Sequence, residues 1–276
     1  MQINSETYGV ERFRLTDKVV VVTGGTGMLG NLYCRQLAVA GAQVVVADLD
    51  ELKCRKLASE IFETTGNRAE GIAVDLADEQ SVITWAKNVF LSFGKVDVLI
   101  NNAATKSPGF FAPLEKFSLA DWDQVMAVNI TGMFLATREI GAAMAERGCG
   151  SIINVSSIYG SVGPDQRIYE GSWYEELGGA INTPLIYSVT KGAVVAMTRY
   201  LATYWGSKGV RTNTLTPGGV SSGQNSIFHE KYSNKVPLGR MAEPDEMVGA
   251  VIFLASDASS YLNGQNIIVD GGWTAW

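Results

Sequence analysis

Apolar β-branched runs alternate along the chain with stretches of helical period, and the alternation starts early. Lys18-Val-Val-Val-Val-Thr23 is an unbroken run of strand length, the mark of a strand covered on both faces in a parallel sheet. A glycine-rich turn over 24–30 follows at once, and Leu32, Leu37, Ala38 and Ala40 then carry a helical pattern as far as Gly41. The same unit repeats with strands predicted over 43–48, 69–74, 96–100 and 151–155 and helices over 51–65, 78–93 and a long segment from Trp122 to Met144. A helix opening at Tyr187, one over 244–255 and a last strand over 266–269 complete the pattern. Strands alternating with helices predict an α/β fold with a doubly wound parallel sheet, whose ligands sit at the carboxyl ends of the strands. No linker or compositional break divides the 276 residues, so a single domain over 1–276 is expected.

Strand, glycine-rich turn, helix is the context of a Rossmann-type dinucleotide site. Only glycine lets the backbone approach a pyrophosphate while a helix N-terminus aims amide groups at it. Gly24, Gly27 and Gly30 supply the glycines. Asp48 ends the second strand eighteen positions beyond Gly30, where a carboxylate accepts hydrogen bonds from the adenosine ribose and repels a 2′-phosphate. The turn holds no Lys or Arg, and Leu49, Asp50 and Glu51 follow, so NAD is expected rather than NADP. The other reading of Asp48, a helix cap without a ligand role, suits Asp50 better. Asp75 and Asn101 also fall at strand ends; Asp75 is placed to bond an adenine amino group, Asn101 to hold the sheet edge together, and Ala103 to allow close cofactor approach.

Composition removes other classes. Apolar residues make up 46% and charged residues 18%, and the net charge of −6 comes without a basic stripe, which argues against nucleic acid as a partner. Cys34, Cys54 and Cys149 lack metal-ligand spacing and His229 is the only histidine, so no metal site and no disulfide framework are expected. Residues 1–15 read as a polar N-terminal extension rather than a secretory signal, and no apolar run is long enough to span a bilayer. A cytoplasmic protein is the expectation.

The candidate chemistry centres on Tyr187-Ser-Val-Thr-Lys191. Residues four apart share a helical face, and a nearby ammonium favours phenolate over phenol, which would make Tyr187 a proton donor or acceptor near neutral pH. Ser156-Ser157 follow the fifth strand to the same end of the sheet. Asn129 interrupts an apolar helix, either diverting a backbone carbonyl towards a water or marking a kink.

With these residues in place, the chain resembles a short-chain dehydrogenase/reductase of the classical kind from about Thr16 to its end. The resemblance rests on Thr23-Gly24 and its glycines, Asp48, Asp75, Asn101-Asn-Ala-Ala104, Asn129, Ser157, Tyr187 with Lys191, Pro217-Gly218, and Val269-Asp-Gly-Gly272. It implies a catalytic tetrad of Asn129, Ser157, Tyr187 and Lys191 for alcohol–ketone interconversion. Tyr187 moves the proton on the substrate oxygen, Ser157 polarises that oxygen, Lys191 also bonds the nicotinamide ribose, and Asn129 holds a water. The implied cofactor contacts are Gly24, Thr26, Gly27, Met28, Leu29, Gly30, Asp48, Leu49, Asp75, Leu76, Asn102, Ala103, Tyr187, Lys191, Pro217, Gly218 and Val220. A homotetramer or homodimer is implied as well, with Trp273 and Trp276 as interface or core anchors.

Two departures matter. Met28 stands where the family's middle glycine would fall, with Gly27 one place earlier. Ser157 and Tyr187 are thirty positions apart, which implies an insertion over 163–184 beside the active site. Its aromatic, charged and amide residues suit a hydroxyl-rich ligand, so a sugar or other polyol is the expected substrate class; a surface lid or subunit contact is the competing role. Residues 221–235 occupy the place of the family's substrate lid, with His229 facing either substrate or solvent. A narrower resemblance links the chain to dehydrogenases of bacterial surface-sugar and flagellin-modification pathways. The alternatives are a dehydrogenase of a steroid-like or aliphatic alcohol, and a non-catalytic NAD-binding regulator.

Overall fold

Successive side chains of a strand leave opposite faces, so an unbroken valine run has to be buried twice. The computed structural model, which describes residues 9–175, 179 and 181–276, does this with one seven-stranded parallel sheet. Its strands are β1 (Val19–Thr23), β2 (Gln43–Asp48), β3 (Ala69–Ala73), β4 (Val98–Asn101), β5 (Gly150–Val155), β6 (Val210–Pro217) and β7 (Asn266–Val269), in the order β3-β2-β1-β4-β5-β6-β7. The helices are α1 (Met28–Val39), α2 (Glu51–Thr65), α3 (Glu79–Phe93), α4 (Leu119–Met126), α5 (Met133–Arg147), α6 (Leu185–Trp205), α7 (Ser226–Ser233) and α8 (Val248–Ala255). Val20 and Val22 pack with Leu37 of α1, Leu57 of α2 and Leu254 of α8. Val19 and Val21 pack on the other face with Trp85 of α3, Ile140 of α5 and Trp205 of α6. Each such side chain contributes roughly 1.5–3 kcal/mol on burial.

The predicted elements recur with small shifts at their ends. Asp50 caps α2, its carboxylate accepting from the Lys53 amide, and Asp78 caps α3 in the same way. Asn101 lies in the middle of the sheet rather than at an edge, because β4 runs between β1 and β5. The helix expected from Trp122 to Met144 is α4 and α5 joined by a π turn over Ala127–Gly132, with Asn129 inside it. That turn packs closely: a Cβ at Gly132 would stand 2.6 Å from the Leu76 carbonyl oxygen.

The pattern gave no warning of β6. Its Thr212, Asn213, Thr214 and Thr216 are fully buried yet polar, so no apolar run marks the strand. The burial of Asn213, Thr214 and Thr216 is supported by side-chain partners, while the Thr212 hydroxyl has none among the described residues. Thr214 donates to Thr198 (2.8 Å), the Asn154 amide donates to Thr198 (2.9 Å), and the Asn101 amide donates to Asn154 (2.8 Å) and Thr137 (2.9 Å). Asn213 donates to the Leu262 carbonyl at 2.8 Å. Buried polar groups of this kind cost least when so paired.

Among the described residues no helix is long and apolar enough to cross a membrane. Residues 1–8 of the expected N-terminal extension, and 176–178 and 180 of the expected insertion, lie outside the described residues.

Candidate active site

The strand order reverses between β1 and β4, and the chain leaves both strands at their carboxyl ends into a cleft of about 660 Å³. Gly24 there has φ of +63°, and a Cβ on it would stand 2.7 Å from Cα of Ala103; one on Gly30 would stand 2.0 Å from the Gly24 carbonyl oxygen. Glycine is required at both positions. Gly27 has an ordinary φ of −70° and precedes Met28, the first residue of α1. Met28 therefore stands at the helix start, partly exposed at the cleft wall, without left-handed backbone.

Thr26, Leu29, Leu49, Asp75, Leu76 and Asn102 line the same cleft with these glycines, Asp48 and Ala103. Asn102 fixes the floor by donating from its side-chain amide to the carbonyls of Thr23 and Gly24, both at 3.1 Å. Asp48 is more committed than the sequence suggests. Its carboxylate accepts from the Thr26 amide (3.0 Å), the Thr26 hydroxyl (2.6 Å) and the Leu49 amide (2.8 Å). A carboxylate offers about four acceptor positions, so about one is left for a ribose hydroxyl. The backbone cradle and the carboxylate fit a dinucleotide.

A second cavity of about 290 Å³ holds Ser157, Tyr187, Gly218 and Val220 on its walls and shares Lys106 with the cleft. Pro217 is the last residue of β6 and delivers Gly218 to it, whose amide donates to the Val269 carbonyl at 2.8 Å. Ser157 caps the short turn Ile158–Gly160. Tyr187 sits in the first turn of α6 with its ring edge-to-face on Phe110, centroids 6.4 Å apart.

Lys191 is buried behind Tyr187, its ammonium 5.9 Å from the phenol ring centroid and donating to the Val155 carbonyl at 3.0 Å. Burial pushes Lys191 down to about 8. Burial also raises Tyr187, against an opposing pull from the Ser157 hydroxyl. The expectation that the cation lowers the tyrosine is therefore not met here: the ammonium is spent on a β5 carbonyl, and desolvation dominates both groups. Asn129, also buried, accepts from the Thr105 amide at 2.8 Å, while its side-chain NH₂ has no partner among the described residues.

The insertion closes this cavity from one side. Tyr169 and Thr183 line it, their hydroxyls 2.5 Å apart, and Gln166 donates to the Thr183 carbonyl at 2.8 Å. Tyr169 stacks on Phe228 of α7, centroids 5.2 Å apart, so insertion and lid share one aromatic cluster with Tyr232 and Trp273. Asp165 and Arg167, expected to serve a polyol, bind each other, and Asp165 also binds Lys235. Trp173 is exposed, as is Trp276, whereas Trp273 stacks on Tyr232 at 4.3 Å. His229 is half-buried on α7 and lines neither cavity. An outer cavity of about 870 Å³, lined by Leu114, Phe117, Trp122, Val162 and Glu170 among others, continues past Tyr159, Tyr169 and Pro184.

Sequence reasoning missed Lys106, Phe110, Phe111, Gln224 and Tyr232 as cavity residues. The first three follow the carboxyl end of β4, so the rule that ligands gather there was a usable signal; Gln224 and Tyr232 lie within the 221–235 segment expected as the substrate lid, though neither was singled out.

A family model described as short chain dehydrogenase matches residues 18–172, and one described as enoyl-(acyl carrier protein) reductase matches 172–274. The chain belongs to the short-chain dehydrogenase family. Among curated members, D-threitol dehydrogenase of Mycolicibacterium smegmatis is 34% identical over 95% of both chains. Gluconate 5-dehydrogenase of Gluconobacter oxydans is 33% identical over 95% of this chain and 96% of its own. A crystal structure of a gluconate 5-dehydrogenase from Burkholderia cenocepacia, in complex with NADP and tartrate, superposes with a TM-score of 0.86 at 32% identity, covering 98% of this chain and 100% of that one. A short chain dehydrogenase from Leptospira borgpetersenii with bound NAD+ does so with 0.83 at 31% identity, covering 99% and 98%. Three of the four act on sugar-derived substrates by name, and of the two structures one carries NADP and the other NAD+. None of the four is described by a surface-sugar or flagellin-modification role, and that narrower resemblance stays an expectation.

Proposed function

We propose that this short-chain dehydrogenase uses NAD to interconvert a secondary alcohol and its ketone on a sugar or sugar-derived substrate. The observation that carries the reading is that Ser157 and Tyr187 share one cavity whose wall, at Lys106, is also the wall of the glycine cradle. The nicotinamide cofactor, when bound, supplies or accepts the hydride. Gly24, Gly27, Gly30, Asp48, Asn102 and Ala103 would hold it, with Gly218 and Val220 at its carboxamide end. Tyr187 moves the proton at the substrate oxygen, and Ser157 orients that oxygen by hydrogen bonding. Lys191 holds positive charge near the phenol, and Asn129, with its unpartnered amide, positions a water behind it. Aspartates at 48 and 75 favour NAD by repelling a 2′-phosphate. The insertion over 163–184 and the segment 221–235 act as cover for the substrate, and the family resemblance extends to a cytoplasmic homotetramer or homodimer.

The apolar outer cavity favours a second reading, an alicyclic or aliphatic alcohol with a ring or chain lying past Tyr159. Both readings are tested by following cofactor reduction with NAD or NADP and a panel of polyols, sugar acids and alicyclic alcohols. Tyr187→Phe should cut kcat by at least about a hundredfold, the lower end of what a positioned proton donor contributes, with cofactor affinity retained. A variant that turns over like the wild type would refute the assignment.

A further inference from the structure

Lys106 is the only cation among the residues lining either the cleft or the substrate cavity, and it lines both. The cleft's carboxylates, Asp48 and Asp75, do not line the substrate cavity, where Lys106 is the sole charge among the described residues. Among the described residues no carboxylate lies within ion-pairing distance of its ammonium. Two aromatic rings hold the ammonium instead, with Phe111 at 5.2 Å and Phe110 at 6.0 Å from centroid to Nζ. A ring face steers a cation without neutralising it. Phe110 in turn meets the Tyr187 ring edge-on, and the Phe111 carbonyl accepts from Asn182 at 2.8 Å, so the platform is tied to the reacting tyrosine and to the insertion.

On a chain of net charge −6, long-range attraction for an anion is absent and a local charge has to supply it. We propose that Lys106 binds a carboxylate on the substrate, making the physiological substrate a hydroxy acid rather than a neutral polyol or alcohol. The proposal deepens the oxidoreductase reading: the anion pairs with Lys106 while the carbinol meets Ser157 and Tyr187 in the same cavity. It applies equally to open-chain sugar acids and to ring acids, since the cation reads the carboxylate and the aromatic walls cover the carbon skeleton.

The test is calorimetric titration of protein saturated with reduced cofactor, in which an alcohol binds without turning over. Gluconate is compared with glucitol, tartrate with threitol, and 4-hydroxycyclohexanecarboxylate with 4-hydroxymethylcyclohexanol. At least one acid should bind about 10- to 100-fold more tightly than its neutral partner, the range expected for hydrogen bonds to a charged group. Lys106→Met should erase that ratio, and Lys106→Arg should retain most of it. Melting temperature should stay unchanged in both variants, because the side chain is exposed, and any loss of cofactor affinity should be much smaller than the loss of acid affinity, since Lys106 only edges the cofactor cleft. A ratio near one in the wild type, a ratio that survives Lys106→Met, or an equal loss of cofactor affinity would each overturn the proposal. Acid binding that depends on Lys106, with no oxidation of any acid or alcohol tested, would uphold the carboxylate site and overturn the assignment of these compounds as substrates.

Discussion

Lys191 illustrates how far a local pair depends on its surroundings. Four residues of helix place an ammonium beside a phenol, yet burial moves both away from the charged form. The folded Lys191 loses its proton near pH 8, below its ordinary value of 10.5, so between these values the unfolded chain binds more protons than the folded one. Stability from this group therefore rises with pH across that window and is lowest below pH 8, where the buried ammonium is present. Lys191→Met removes the dependence. The melting-temperature gap between variant and wild type should shift in favour of the wild type from pH 7.5 to 9.5, in thermal melts without cofactor; a constant gap would count against the shift. The tyrosine and lysine themselves were legible from spacing, but their protonation was not, because desolvation and the Val155 carbonyl come from β5 and not from the helix.

At the scale of elements, the insertion and the lid act as one layer. Asp165 joins Arg167 to Lys235, and Lys231 of α7 donates to the carbonyls of Glu170 and Arg167, the former at 2.6 Å. Bonding to both cations holds the Asp165 carboxyl far below the usual carboxylate range, so the link persists through neutral pH and weakens only in strong acid. Asp165→Ala should raise KM several-fold with a smaller change in kcat, and should speed amide exchange over 226–233; unchanged exchange there would show that the aromatic stack alone holds the layer. The length of the insertion was visible as thirty residues between Ser157 and Tyr187. Which of its side chains face the cavity was not, since Tyr169, Gln166 and Thr183 turn inward while Asp165, Arg167 and Trp173 do not. That sorting is set by packing against α7, sixty residues further along. β6 went unpredicted for a related reason: Asn213, Thr214 and Thr216 are compatible with burial through partners on α6, on β7 and on the segment leading into β7.

At the scale of the whole molecule, the cleft exists because the strand order reverses between β1 and β4, and a bound dinucleotide would tie the two halves of the sheet together. At a hundredfold excess over its Kd, a ligand of the folded state adds about 2.7 kcal/mol, enough for a clear rise in melting temperature. NAD should produce this rise and NADP a smaller one. Asp48→Ala should bring the two closer, at some loss of stability because Thr26 and Leu49 lose their acceptor. A larger rise with NADP in the wild type would reverse the cofactor assignment, a live outcome given the NADP bound to the Burkholderia relative. Hydrophobic period and glycine spacing determined the α/β class, most of the strands and the glycine cradle, because each is local in the chain and follows from backbone geometry and two-sided burial, whereas the candidate tetrad came from the family resemblance. Tertiary structure alone decided the polar ladder under β4, β5 and β6, the state of the Tyr187–Lys191 pair, the commitment of Asp48 to Thr26, and the placing of Lys106 between two cavities. Each of these depends on a partner far away in sequence, and the strength of a charge or a buried polar group is set by what surrounds it.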